Sequence, residues 1–183
     1  MKILVIGDTH GQLNKVREIY KKLTNIDIIA HTGDFITDGE ALEKELNIPV
    51  IAVKGNCDGS YSSDDFRIID TEFGKILLTH GHMQNVKYQF NNLIYKAMEQ
   101  QCKAVFFGHT HRSLVDEAGG IHLVNPGSLT IPRDNSNGSY AIVRTSENSF
   151  DASIVYYNTI INGRGSKPKS GHIRNILNYS DRF

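Results

Sequence analysis

Five apolar runs along the chain each end in a short polar segment. With their polar ends, the runs are ILVIGDTH at 3–10, DIIAHTGD at 27–34, IPVIAVKGNCD at 48–58, KILLTHGH at 75–82 and AVFFGHTH at 104–111. Apolar runs of this length, rich in Ile and Val and closed by Gly, are typical of buried strands. We therefore expect five strands to bring Asp, Asn and His side chains to one rim of a sheet, where open α/β sheets form their ligand sites.

Segments with helical spacing separate these runs. Apolar residues recur at helical intervals at 12–23 and from about 86 to 101, and a further helix is predicted from Asp38 to Asn47, with Asp38 as its cap. Alternating strands and helices imply a parallel sheet with helices on its faces. After His111 the shorter runs GIHLVNPGS, SYAIVRT and FDASIVYYN predict an added antiparallel region.

Length and composition limit the class of protein. A chain of 183 residues with 39% hydrophobic residues fits one domain, which we place at 1–160, with 161–183 as a C-terminal extension that forms a dimer contact or a mobile tail. The 20 Lys and Arg balance the 20 Asp and Glu, so the net charge does not support a nucleic-acid partner. Two cysteines, no signal-peptide pattern and no long apolar run predict a cytoplasmic protein that does not enter a membrane.

The polar ends of the runs predict a metal site. Asp8 and His10 stand two residues apart, so in an extended segment both side chains point to the same side and reach one cation; His109 and His111 repeat this spacing. One such pair is a weak signal, but burying so many polar groups without partners is costly. Carboxylates and imidazoles without thiolates suit Mn, Fe, Co, Ni or Zn. The predicted ligands are Asp8, His10, Asp34, Asn56, His80, His109 and His111.

In their order along the chain, these motifs resemble the fingerprint of the calcineurin-like metallophosphoesterases, which runs DxH, GD, GNH, a lone H and GHxH. Here the blocks are Asp8-Thr9-His10, Gly33-Asp34, Gly55-Asn56, His80 and Gly108-His109-Thr110-His111. The resemblance covers about residues 1 to 157. Together with the NPGS segment at 125–128, it is strongest to the small bacterial and archaeal phosphodiesterases.

This resemblance implies a fold and an activity. The fold is a four-layer α/β/β/α sandwich, with two mixed sheets packed face to face and helices outside. The activity is phosphoester hydrolysis, and diesters are the expected substrates. A hydroxide that lies between two divalent metals would attack phosphorus in line, and Mn or Ni are the favoured metals. One metal would be held by Asp8, His10, Asp34 and His111, and the other by Asp34, Asn56, His80 and His109, so that Asp34 bridges them. The net charge of such a centre, with two carboxylates, two divalent cations and one hydroxide, is about +1, which attracts a phosphate anion.

The chain departs from the fingerprint at Cys57, where the family has its catalytic histidine. A thiol with an ordinary pKa of about 8.5 is a poor proton donor, so no catalytic acid is assigned and we expect good leaving groups, or diesters whose leaving oxygen a metal holds, to be preferred. Cys57, Asp58 and His82 are candidates for positions just outside the ligands. Asp58 either accepts from a ligand histidine or forms a turn. His82 either replaces His80 as a ligand, orients the substrate or is a hydrogen-bonded loop residue.

Two other functions stay open at this point. A scaffold subunit on the same fold, as in the retromer component that resembles this family, has an impaired metal set, whereas every ligand position is filled here. A nuclease would carry basic surfaces and extra segments, which a chain of this length and balanced charge lacks. The expected partner is therefore a small phosphoester substrate.

Overall fold

A computed structural model describes residues 1–59 and 65–161 of the chain. The described residues form ten strands and four helices. In chain order these are β1 (Lys2–Ile6), α1 (Asn14–Tyr20), β2 (Ile28–His31), α2 (Ile36–Leu46), β3 (Val50–Ala52), β4 (Phe66–Thr71), β5 (Gly74–Thr79), α3 (Asn91–Glu99), β6 (Cys102–Phe106), β7 (Ser113–Ala118), β8 (Ile121–Pro126), β9 (Ser139–Ser146), β10 (Ser149–Tyr156) and α4 (Tyr157–Ile161).

The strands form two mixed sheets of five, ordered β10-β9-β1-β2-β3 and β4-β5-β6-β8-β7. In the first sheet β1, β2 and β3 are parallel, and β9 and β10 extend it antiparallel. In the second sheet β5, β6 and β8 are parallel, with β4 and β7 antiparallel at its edges. The expectation that all five motif-bearing strands share one sheet is wrong, because three lie in the first sheet and two in the second.

Because side chains alternate between the two faces of each strand, the hydrophobic core consists of three clusters, one between the sheets and one on the outer face of each sheet. Ile3 and Val5 of β1 point between the sheets and pack with Phe106 of β6. Leu4 and Ile6, on the other face of β1, pack against α1 and α2. On the far side, α3 packs against the outer face of β5 and β6. Successive strand residues point to opposite faces, so each strand serves both its partner sheet and its covering helix. The four-layer sandwich is confirmed.

The predicted strands and helices are present, although α1 and α3 are shorter than predicted and α2 is shifted toward the N-terminus. The helix expected to start at Asp38 begins at Ile36, so the assignment of Asp38 as its cap is wrong. Asp38 lies buried in the first turn and accepts hydrogen bonds from other segments. Instead, Asp58 accepts from the backbone N–H of Ile36 at 2.7 Å. The edge strands β4 and β7 were not predicted because they are half-exposed and interrupted by charged residues.

The predicted C-terminal extension lies almost entirely outside the described residues, which end at Ile161. The domain boundary at 160 and the choice between a dimer contact and a mobile tail therefore stay predictions. Within residues 1–59 and 65–161, no helix is long and apolar enough to cross a membrane.

We expect Phe106→Ala to lower the free energy of unfolding by about 3–5 kcal/mol, because it leaves a cavity where the two sheets meet. Urea denaturation followed by circular dichroism measures this change. Val115→Ala on β7 is the matched control, since Val115 is 42% exposed and its truncation leaves no internal cavity. A similar loss for both variants would contradict the assignment of the core to the space between the sheets.

Candidate metal centre

The seven predicted ligands all follow the carboxyl ends of parallel strands. Asp8, Asp34 and Asn56 come after β1, β2 and β3 of the first sheet, and His80 and His109 come after β5 and β6 of the second. The site therefore lies where the ends of two facing sheets meet. Its ligands come from five loops that are distant in the chain, and only the packing of the sheets brings them together.

The first group of ligands is Asp8, His10, Asp34 and His111, whose ligand atoms all lie within 4.8 Å of one another. His111 Nε2 lies 3.4 Å from Asp8 Oδ1, and His10 Nε2 lies 3.6 Å from Asp34 Oδ2. The two Nε2 atoms of His10 and His111 are 3.5 Å apart. These four residues are the set that the family resemblance assigns to one cation.

The second group surrounds Nε2 of His80. This atom lies 3.1 Å from Asn56 Oδ1, 3.2 Å from His109 Nδ1 and 3.4 Å from Asp34 Oδ1. Asp34 thus directs Oδ2 toward the first group and Oδ1 toward the second. Asp34 therefore contributes an oxygen to both groups.

Backbone carbonyls fix the tautomers of two ligand histidines. His80 Nδ1 lies 2.9 Å from the Thr32 carbonyl oxygen, and His111 Nδ1 lies 2.7 Å from that of Ile131. A carbonyl oxygen only accepts, so Nδ1–H is the donor and Nε2 turns a lone pair to the site. Burial lowers the pKa of His80 to about 4, which keeps the ring neutral. Unprotonated nitrogens and carboxylate oxygens then face one another at short range, and this donor set fits divalent cations.

Burial makes the carboxylate of Asp8 hard to ionise without a nearby cation. Together with the negative charge of Asp34, burial raises the pKa of Asp8 well above its ordinary value. The hydrogen bond from the His109 N–H and the positive charges of Lys87 and Arg133 act in the opposite direction. The charge of Asp34 thus disfavours the ionised form of Asp8, and a bound divalent cation would reverse that effect.

The ligands converge through left-handed backbone rather than through extended segments. The φ angles are 50° for Asp8, 48° for His10, 52° for Asp34, 69° for His109 and 56° for His111. The expectation that the paired ligands point to one side because their segments are extended is therefore wrong. Each such residue costs about 1–2 kcal/mol for a side chain with a Cβ, and strain of this kind collects at functional sites.

Three motif glycines leave room for the ligands. A Cβ on Gly33 would lie 2.7 Å from Nδ1 of His80, and one on Gly108 would lie 2.9 Å from Oδ2 of Asp8. A Cβ on Gly55 would overlap with the Asp34 carboxylate. The glycine in each of these motifs thus admits a ligand that comes from a different segment.

A buried network that the sequence did not reveal lies behind the ligands. The Thr9 hydroxyl donates to Asp38 Oδ2 at 2.6 Å and lies 2.8 Å from His31 Nε2. His31 Nδ1 accepts from the Gly33 N–H, so Nε2 carries the proton and donates to Thr9. Asp38 also accepts from the Gly11 N–H at 2.8 Å. The network joins the Asp8–His10 loop to the loop of Asp34. Its signals in the sequence are Thr9, which lies between two predicted ligands, and His31, which precedes the Gly33-Asp34 motif.

The three candidates near the ligands have distinct surroundings. Asp58 accepts hydrogen bonds from the backbone N–H groups of Phe35, Ile36 and Gly55. These bonds are to backbone groups, as expected for an aspartate that forms a turn. Cys57 is exposed and its N–H donates to Asp34. Partial desolvation by neighbouring atoms and the negative charge of Asp34 raise the pKa of the Cys57 thiol, so it stays protonated near neutral pH. The His82 ring lies 5.3 Å from that of His80, and its buried Nδ1 has no hydrogen-bond partner in the described part of the chain.

The NPGS segment ties the two sides of the site together. Ser128 Oγ donates to the Asp8 carbonyl oxygen at 2.9 Å. Asn125 Nδ2 donates to the Gly108 carbonyl oxygen at 3.0 Å and to Thr110 Oγ1 at 3.1 Å. The segment therefore links the loop of Asp8 to the loop of His109 and His111.

We expect Thr9→Val to lower the free energy of unfolding by about 1–3 kcal/mol, because at unchanged side-chain volume it removes the hydroxyl that donates to Asp38 and accepts from the buried His31 Nε2–H. We also expect weaker binding of Mn²⁺, since the ligand loops lose their connection. Urea denaturation and calorimetry measure the two effects. Thr37→Val on the exposed face of α2 is the control, and equal behaviour of the two variants would show that the network has no structural role.

Comparison with known proteins agrees with this geometry. The model of the calcineurin-like phosphoesterase superfamily domain matches residues 1–148. The chain is 36% identical over 160 residues to a probable metallophosphoesterase of Bacillus subtilis, covering 86% of this chain and 90% of the relative. It is 30% identical over 145 residues to a phosphodiesterase of Methanocaldococcus jannaschii, covering 69% and 83%. A Streptococcus pneumoniae crystal structure described as a predicted phosphoesterase superposes with a TM-score of 0.73 at 27% identity, covering 86% and 90%. The chain belongs to the calcineurin-like phosphoesterase superfamily.

Proposed function

We propose that this protein is a phosphodiesterase that works with two divalent cations at the candidate metal centre. The observation that carries the proposal is the position of Asp34, which directs one carboxylate oxygen to each of two groups of donors. Asp8, His10 and His111 would complete the first cation's ligands. Asn56, His80 and His109 would complete the second cation's ligands.

The cations and the chain have separate tasks in this proposal. When bound, two divalent cations supply Lewis-acid stabilisation of the phosphoryl oxygens and a hydroxide nucleophile at neutral pH. The chain holds His80 and His111 in the tautomer that binds a metal, through Thr32 and Ile131. Donors of nitrogen and oxygen suit Mn or Ni, which we favour, as well as Fe, Co and Zn.

Diesters are the proposed substrates for two reasons. A relative that is 30% identical is named a phosphodiesterase, and the chain covers 83% of it. In addition, Cys57 stands where an imidazole would protonate the leaving group, and its thiol keeps its proton near neutral pH. We therefore propose small diesters with good leaving groups as substrates, in a cytoplasmic setting.

The scaffold alternative is less well supported by the contacts of the site. Left-handed backbone at five ligands and glycines pressed against three ligand side chains hold a strained arrangement in place. A surface used only for binding partners would not need this arrangement. The nuclease alternative has no support from the net charge of 0.

We expect Asp34→Asn to lower kcat on bis-p-nitrophenyl phosphate by about 100-fold or more, because the neutral amide lacks the negative charge with which Asp34 would help to hold both cations. Bound metal, measured by mass spectrometry, should fall as well. Mn²⁺ should raise the melting temperature of the wild type and not that of the variant. Comparison with p-nitrophenyl phosphate tests the preference for diesters.

Asp70→Asn is the matched control, because Asp70 is an exposed aspartate on β4, in an edge strand of the other sheet. It should keep the metal content and the rate of the wild type. Full activity of Asp34→Asn, or a metal-free wild type that still hydrolyses the diester, would contradict the proposed function.

We expect Cys57→His to raise the rate on diesters with poor leaving groups, such as alkyl phenyl phosphates, by about 10- to 100-fold, because an imidazole donates a proton near neutral pH. The rate on bis-p-nitrophenyl phosphate should change little, since p-nitrophenolate leaves without protonation. A plot of log kcat against leaving-group pKa measures this effect as a shallower slope. Cys57→Ala is the control. An unchanged slope in Cys57→His would show that the missing imidazole does not limit the rate on poor leaving groups.

A further inference from the structure

A cleft of about 530 Å³ lies beside the candidate metal centre. Its volume is in the range of small-molecule sites, which is about 300–1,000 Å³. We call it the cationic cleft. Its lining residues are Val86, Lys87, Phe90, Phe107, Thr110, Arg112, Ser113, Leu114, Asn125 and Arg133.

Backbone contacts attach this cleft to the loops that carry metal ligands. The N–H of Arg133 donates to the carbonyl oxygen of His111 at 2.9 Å. Thr110 stands between His109 and His111, and the N–H of Arg112 donates to its hydroxyl at 3.2 Å. A group bound in the cleft is therefore next to a group bound at the metal centre.

The loop after His80 supplies the remaining cation in the same way. The N–H of Val86 donates to the carbonyl oxygen of Gly81, the residue after His80. Lys87 follows Val86 directly. The positive charges of Lys87 and Arg133 both act on the carboxylate of Asp8. The charged residues of the cleft are thus close enough to the metal centre to influence it.

The charges of the cleft are all of one sign. Lys87, Arg112 and Arg133 line it, and no Asp or Glu does. Among the described residues, none of these three side chains has a hydrogen bond or an ion pair. The chain as a whole has a net charge of 0, so this positive cluster is a local feature. A cleft with one sign of charge attracts the opposite charge and raises its local concentration.

The same cleft also has an apolar wall. The rings of Phe90 and Phe107 meet edge to face with centroids 5.5 Å apart, and Val86 and Leu114 extend the surface. A ligand that suits both surfaces has a carbon portion and an anionic end. An isolated inorganic anion would leave the apolar wall without a partner.

We propose that the cationic cleft binds a second anionic group of the substrate, so that the preferred substrates are phosphodiesters with one arm ending in a phosphate or a carboxylate. The proposal rests on the proposed function. The scissile phosphate lies at the metal centre, the carbon portion of the arm lies along Phe90, and the anionic end pairs with Lys87 and Arg133.

Three p-nitrophenyl phosphodiesters test this inference. They share the leaving group and differ only in the second arm, which is carboxyethyl, propyl or choline. In the wild type, kcat/KM should be about tenfold higher for the carboxyethyl ester than for the propyl ester, and lowest for the cationic choline ester. Raising the salt concentration should reduce the difference.

Lys87→Gln/Arg133→Gln removes two charges from the cleft. We expect the ratio of the carboxyethyl rate to the propyl rate to fall from about ten to about two, mainly through KM. Lys44→Gln, which removes one exposed charge from α2, is the control and should keep all three rates. Equal kcat/KM for the three esters in the wild type, or an unchanged ratio in the double variant, would contradict the proposed role of the cationic cleft. Neither result would contradict the proposed phosphodiesterase activity.

A binding measurement separates the two proposals if no diester is hydrolysed. Calorimetry on the Mn²⁺-loaded protein compares 3-phosphonopropionate with propylphosphonate, which lacks the carboxylate. We expect about tenfold tighter binding of the first, lost in the double variant. Absence of hydrolysis would contradict only the proposed function, whereas equal affinity for the two phosphonates would contradict the proposed anion binding in the cationic cleft.

Discussion

The arrangement of this protein depends on holding two carboxylates and several imidazole lone pairs together where water is largely excluded. Asp8 is fully buried and Asp34 is 2% exposed, and the negative charge of Asp34 adds to the cost of ionising Asp8. The Nε2 lone pairs of His80 and His111 point into the site because the Nδ1–H groups of the same rings donate hydrogen bonds to backbone carbonyls. Such a set is unfavourable by itself and becomes favourable around cations. The rest of the fold supplies the rigidity that keeps it in place.

That rigidity comes from features that are costly in isolation. Left-handed backbone at five ligands requires support from the surroundings. The Thr9, His31 and Asp38 network provides it from behind, and Ser128 and Asn125 provide it from the side. Each of these groups bonds to a loop rather than to a ligand side chain. The protein thus positions its ligands by fixing the loops that carry them.

The two parts of the functional surface differ in how firmly they are built. Asp8, Asp34, His80 and His111 of the metal centre are buried and held by hydrogen bonds, whereas the charged side chains of the cationic cleft are exposed and have no hydrogen bond or ion pair in the described part of the chain. Exposed cations on flexible side chains adapt to ligands of different shape. We infer that the reaction is set by the rigid centre and the choice of substrate by the cleft beside it. The same division is common where loops surround a rigid scaffold.

The sequence by itself determined the types and order of the donors and the strands that precede them, because strand periodicity and motif spacing are local properties. It also determined the family, through five motif blocks in a fixed order. Only the tertiary structure decided that these strands lie in two sheets, that Asp38 and His31 meet at Thr9, and that Lys87, Arg112 and Arg133 share a cleft. These features depend on contacts between residues far apart in the chain, such as Asp8 and His111, and no local pattern encodes such contacts. The left-handed ligand backbone was missed for the same reason, since non-glycine residues adopt it only where distant packing holds them there.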